Sequence, residues 1–162
     1  MVSACGTNFS AQTNQPYQPA EGANADSDKV KVLNAVAVAN SDDTATLSAS
    51  LITEAADADS LTGVTGTDGE GQPLDVTLDE PIELSPDAFV KTGEEPQVVL
   101  SLNETGPGYY VTLDFEFENA APLEMDVPVV ERGDEGMYDE IAEAPEPAPS
   151  PNKNNNKKSD SN

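Results

Sequence analysis

The run Tyr109-Tyr110-Val111-Thr112-Leu113-Asp114-Phe115-Glu116-Phe117-Glu118 alternates apolar and polar positions without a break. Side chains of an extended chain point to opposite sides in turn. Tyr109, Val111, Leu113, Phe115 and Phe117 therefore share one face, and Tyr110, Thr112, Asp114, Glu116 and Glu118 share the other. That spacing predicts a half-buried strand, because a helix would spread the carboxylates around its whole circumference. After Asn119-Ala120-Ala121-Pro122 the alternation resumes, with Leu123, Met125, Val127 and Val129 against Glu124, Asp126 and Pro128. Two alternating runs joined by a short turn-prone segment predict a β-hairpin. A hairpin alone is marginal in water, so further strands are expected to cover its apolar face.

The upstream chain supplies them. In residues 29–40, Val30, Val32, Val36 and Val38 alternate with Lys31, Leu33, Ala35 and Ala37, and apolar residues on both sides suggest burial on both faces. Ser41-Asp42-Asp43 is a turn signal. Residues 44–53 form a second strand with Ala45, Leu47, Ala49 and Leu51 inward and Thr46, Ser48 and Ser50 outward. Residues 57–71 read as loop, with Leu61 and Val64 as apolar anchors. Short alternating runs follow at residues 74–78, 82–84 and 97–102, before Thr105-Gly106-Pro107-Gly108 interrupts the chain. About seven short strands within residues 29–132 predict an all-β protein, an immunoglobulin-like or cupredoxin-like β-sandwich.

The flanks differ in composition. Residues 6–28 are rich in Asn, Gln, Ser, Ala and Pro and are expected to be a flexible tether spanning roughly 25 Å. The acidic and then Asn/Lys-rich residues 133–162 are expected to be a disordered tail. Met137 and Ile141 could share a helical face there, but so short a helix is unstable alone. The expected division is thus residues 1–28, 29–132 and 133–162.

Charge narrows the function classes. The chain carries 31 acidic against 7 basic residues, a formal charge of −24, which disfavours nucleic acid and anionic headgroups as partners. With no histidine, it lacks the commonest general base and the commonest transition-metal ligand. No serine lies at a Ser-x-x-Lys spacing from Lys29, Lys31 or Lys91, and residues 66–71 lack the Lys-Ser/Thr of a phosphate cradle. The expectation is a non-catalytic protein without a cofactor. Asp57-Ala58-Asp59 and Asp68-Gly69-Glu70 could offer hard oxygen ligands to calcium, but without the spacing of a calcium loop.

The single cysteine permits no internal disulfide. It lies in Val2-Ser3-Ala4-Cys5, which resembles the lipobox of bacterial lipoproteins and precedes the polar tether. Cys5 is the expected lipidation site, with the membrane as partner and the outer face of the cytoplasmic membrane, in the cell envelope, as location. A signal peptide carries an apolar run of about 7–15 residues before its cleavage site. Only Met1 to Ala4 precede Cys5, so the chain reads as a precursor shortened near that site.

Residues 46–53, Asp59-Ser60-Leu61-Thr62-Gly63-Val64, Pro81-Ile82-Glu83-Leu84-Ser85-Pro86, residues 108–118 and the closing Val127-Pro128-Val129 occur in an order that resembles the PCu(A)C-type periplasmic copper chaperones. The resemblance spans residues 29–130 and extends to the family's actinobacterial lipoprotein relatives. It implies a β-sandwich that holds Cu(I) on two histidines and two methionines, since thioethers and imidazoles suit that soft ion. The implied His-x-Met falls at Pro96-Gln97-Val98-Val99-Leu100, and the implied first histidine falls near Asp75–Thr77, where no soft ligand occurs. No residue carries over as a copper ligand, and Met125 reads as core. Three roles follow as expectations: a lipid-anchored module that binds an unidentified envelope protein; a copper-handling chaperone with a degenerate site, for instance Cys5 with Met137; and an envelope protein whose Lys153, Lys157 and Lys158 touch an anionic polymer.

Overall fold

The computed structural model describes residues 22–102, 104–133 and 138–143. Eleven strands follow one another: β1 (Ala23–Asp26), β2 (Val30–Ala39), β3 (Thr44–Thr53), β4 (Asp59–Thr67), β5 (Pro73–Leu74), β6 (Val76–Leu78), β7 (Ile82–Leu84), β8 (Phe89–Thr92), β9 (Val98–Ser101), β10 (Tyr110–Phe117) and β11 (Leu123–Val130). They make an all-β sandwich, as the alternation predicts.

The β10–β11 hairpin joins the two halves. β10 pairs antiparallel with both β11 and β4, placing Leu113 opposite Met125 and Phe115 opposite Leu123 and Val64. Val129 and Val130 at the end of β11 pair parallel with Ala37 and Val38 of β2. β11 thereby links the β5/β7/β4/β10 half to the β1/β2/β3/β8/β9/β6 half. Val111, Leu113, Phe115, Met125 and Val127 enter one core with Val30, Val32, Leu47, Leu51, Leu61 and Leu100.

The structure departs from the sequence expectations at several places. The inward set of β2 is not one alternating row. Leu33 pairs with Ser50 but Val36 pairs with Ser48, so β2 carries one extra residue, and Asn34 sits there at φ 53°. A bulge of this kind shifts the side-chain phase by one. Val30 and Val32 face the core before it, and Ala35 and Ala37 after it, while Val36 and Val38 are buried outside the core cluster.

Residues 57–71, expected as loop, contain the nine-residue strand β4. Gly66 is where the neighbouring strand comes close: a Cβ there would lie 2.7 Å from Leu113 Cδ2 and 3.2 Å from the Thr112 carbonyl oxygen. The folded region also starts earlier than residue 29, because β1 pairs with β2. Residues 138–143, expected to be disordered tail, pack on the sandwich. Ala142 N–H donates to Gly93 O (2.7 Å), and the buried Thr46 hydroxyl donates to Ala142 O (2.9 Å). Thr46 lies opposite Val38 and Ser48 opposite Val36, so this segment covers the outer side of β2 and β3. Tyr109, expected inward, is 67% exposed because it precedes the first β10 residue.

Candidate functional site

The two segments at which the resemblance places copper ligands do come together. β6 and β9 pair antiparallel, with Val76 opposite Leu100, Thr77 opposite Val99 and Leu78 opposite Val98. Ser101 N–H donates to Asp75 O (2.8 Å) and Asp79 N–H to Gln97 O (3.3 Å), extending the ladder at both ends. The side chains along it are valines, leucines, the Thr77 and Ser101 hydroxyls, the Gln97 carboxamide and the Asp75 and Asp79 carboxylates. None is a thioether, thiolate or imidazole, so the ladder has no soft donor for Cu(I). Met125 is buried and packs in the core cluster. Cys5 and Met137 lie outside the described residues, as do Lys153, Lys157 and Lys158. Among the described residues, no group of three or more His, Cys, Asp or Glu side chains is placed to hold a metal ion.

Both carboxylate segments weighed for calcium instead organise backbone. Asp59 is buried, and its Oδ1 accepts from Ser60 N–H (2.8 Å) and Asn119 N–H (2.9 Å), while its Oδ2 accepts from Ala120 N–H (2.9 Å). The Asn119 side-chain amide adds a longer contact at 3.4 Å. One carboxylate at the start of β4 thus ties down the tip of the β10–β11 hairpin. Burial pushes the Asp59 carboxyl up, but the surrounding N–H donors outweigh it and hold the carboxyl below its ordinary value. Asp68 shapes the β4–β5 turn, since its Oδ1 accepts from Glu70 N–H (2.9 Å) and Gln72 N–H (2.8 Å). Beside that turn lies a cleft of about 520 Å³ lined in part by Asp68, Glu70, Glu104, Tyr109 and Tyr110. The sequence signal for it is weak. Gly106-Pro107-Gly108 marks a break before β10, but not which side chains the break turns outward.

A second cleft, of about 590 Å³, opens between Asn40, Asp43, Glu104, Glu131, Arg132 and Glu143. Its one cation is structurally engaged. Arg132 Nη1 donates to Tyr138 O (3.0 Å) and to Ile141 O, and Nη2 donates to Asn40 Oδ1 (3.1 Å). Its Nε lies 3.6 Å from Glu143. Arg132 therefore fastens residues 138–143 to the β2–β3 turn rather than facing a ligand.

No family model and no curated protein matches this chain. Solved structures do. A copper-bound PCuAC domain from PmoF2 superposes with a TM-score of 0.55 at 20% identity, covering 67% of this chain and 98% of its own. The apo PCuAC domain from PmoF1 gives 0.54 at 19% identity, covering 67% and 99%. The apo PmoF2 PCuAC domain gives 0.53 at 19%, covering 67% and 95%. With nearly the whole of each domain matched, this chain has the fold of a PCuAC domain.

Proposed function

We propose that this chain is a non-catalytic, lipid-anchored accessory module of the cell envelope, built on the PCuAC fold but without that fold's copper chemistry. The observation that carries the reading is the β6–β9 ladder. The strand pair to which the resemblance assigns the ligands is assembled, and it presents Val76, Thr77, Gln97 and Val99. Cu(I) prefers sulfur and imidazole donors, which a surface of aliphatic, hydroxyl, carboxamide and carboxylate groups does not supply.

A Cu(I) competition titration on the full chain against a chromophoric chelator tests this. The expected result is that the chelator keeps its copper in the presence of the Cys5→Ser variant. Copper withdrawn by that variant would return the protein to copper handling. Withdrawal by the wild type alone would assign the metal to the Cys5 thiol and favour the degenerate-site alternative.

The anchor rests on Val2-Ser3-Ala4-Cys5 and the polar segment behind it. Two or more acyl chains on one cysteine hold a protein to a bilayer stably, whereas one gives only marginal binding. Expressed behind a lipoprotein signal peptide in a bacterial host fed labelled palmitate, the chain is expected to take up label. The Cys5→Ser variant is expected to take up none. An unlabelled wild-type chain would remove the anchor from the proposal.

A further inference from the structure

Three large apolar side chains are strongly exposed among the described residues, and two of them, Tyr109 (67%) and Tyr110 (59%), line one cleft. Consecutive strand residues normally point to opposite faces, so one of such a pair is usually buried. Here β10 begins only at Tyr110. Tyr109 is held by its backbone instead: its N–H donates to Gly106 O (3.3 Å), and its carbonyl accepts from Val129 N–H (2.9 Å). The main chain is pinned while both rings face outward. Exposed aromatic pairs on an otherwise polar surface are a mark of binding sites.

The rest of the lining states the ligand's charge. The cleft of about 520 Å³ also contains Asp68, Glu70, Glu104 and Gln72, and no lysine or arginine lines it. The two ion pairs found among the described residues, Lys31–Glu54 and Arg132–Glu143, involve none of these carboxylates. The Asp68 wall is rigid, because its two backbone hydrogen bonds fix the β4–β5 turn. The volume lies within the range of small-ligand pockets. An anion is repelled here. An inorganic cation would use the carboxylates and gain little from the rings. An organic cation uses both, through charge attraction and through its contact with the tyrosine faces.

We propose that this cleft binds the ammonium or guanidinium group of an organic cation. Its source is either a free polyamine or a lysine or arginine side chain. The proposal supplies a ligand class for the binding-module reading. It depends on neither copper nor Cys5, so its failure leaves the copper and lipidation results as they stand.

Calorimetric titrations of the full chain in about 150 mM NaCl test it, since that salt screens the diffuse field of the acidic surface. Spermidine forms one arm and a short peptide with a single lysine the other. Saturable binding is expected in at least one arm, and the arm that binds identifies the source. The Tyr109→Ala/Tyr110→Ala double variant is expected to weaken binding at least tenfold, as is Glu70→Gln/Glu104→Gln. Both tyrosines are exposed, so their removal leaves the core intact. The pair Glu83→Gln/Glu95→Gln removes the same charge from a different acidic cleft, lined by Asp79, Glu80, Glu83 and Glu95, and is expected to change nothing. Magnesium binding is expected to be indifferent to the tyrosine variant. No saturation in either arm would overturn the proposal. So would wild-type affinity in the tyrosine variant, or equal losses from the two carboxylate pairs, which would mean a delocalised acidic field. Binding of a neutral disaccharide in preference to both cations would replace it with a sugar site.

Discussion

The Phe115→Ala variant is expected to lose about 3–5 kcal/mol of stability, the range for removing a fully buried aromatic ring. Phe115 is completely buried on β10, and its strand neighbours Leu123 and Val64 come from both flanking strands. It stands where β4, β10 and β11 meet, so the void cannot be filled without moving all three. Domains of this size are commonly stable by only about 5–15 kcal/mol. The variant should therefore unfold at markedly lower urea concentration, or be largely unfolded at 37 °C. Urea titration followed by far-ultraviolet circular dichroism measures it. A loss under about 1 kcal/mol would mean that Phe115 is not the centre of the core.

The second large effect concerns Asp59. The Asp59→Ala variant strands the N–H groups of Ser60, Asn119 and Ala120, each now within 2.8–2.9 Å of a carboxylate oxygen. Donors left without acceptors are costly where water cannot reach them, as at the buried Ala120 bond and the part-buried Ser60 and Asn119 bonds, and the expected loss is about 2–4 kcal/mol. Asp59→Asn should lose a similar amount, because an amide offers one acceptor oxygen and turns an NH2 toward backbone donors.

The pH dependence has a definite sign. The folded state holds the Asp59 carboxyl below its ordinary value of 3.8, so ionised Asp59 favours folding. That contribution is complete at neutral pH. It begins to fade as pH falls through the ordinary carboxylate value and is lost once the folded-state carboxyl takes up its proton. Acid also neutralises much of the −24 formal charge, and relief of self-repulsion acts in the opposite direction. The informative quantity is therefore the stability difference between wild type and Asp59→Asn. It should be largest near neutrality and shrink below about pH 4. A difference that stays constant into acid would show that the carboxylate charge plays no part in holding the hairpin tip.

How far the sequence could be read depends on the kind of interaction involved. Period-2 alternation is a local property, and it placed the cores of β3, β10 and β11 directly, because each of these strands shows one face to the apolar interior and the other outward. Thr46 is the exception. It was assigned outward and is buried, with its hydroxyl bonded to Ala142 O and the Asn40 amide beside it. β4 was missed for a related reason. Gly63 and Gly66 carry no alternation signal, and a glycine marks a strand only where a neighbouring strand presses close, which a single chain segment does not reveal. The β2 bulge was invisible because a one-residue slip leaves local composition unchanged while moving every later side chain to the other face.

The candidate site divides in the same way. The absence of histidine and the positions of the methionines are facts of composition, and with them the expectation of no soft-metal donors at Asp75–Thr77 or Gln97–Val99 was available from the sequence alone. Only the tertiary structure decided that these segments are neighbours on β6 and β9, since strand register is set between elements far apart in the chain. It also decided what the acidic residues do. Asp59, Asp68 and Glu104 look alike in a chain so rich in carboxylates. Folding surrounds the first with backbone donors, makes the second a turn-former, and places the third beside two exposed tyrosines. The sequence by itself determined the β-sandwich and its charge, because alternation and composition survive without neighbours. The tertiary structure alone decided which carboxylates hold the fold and which line an open cleft, because that depends on the donors that long-range pairing brings to each one.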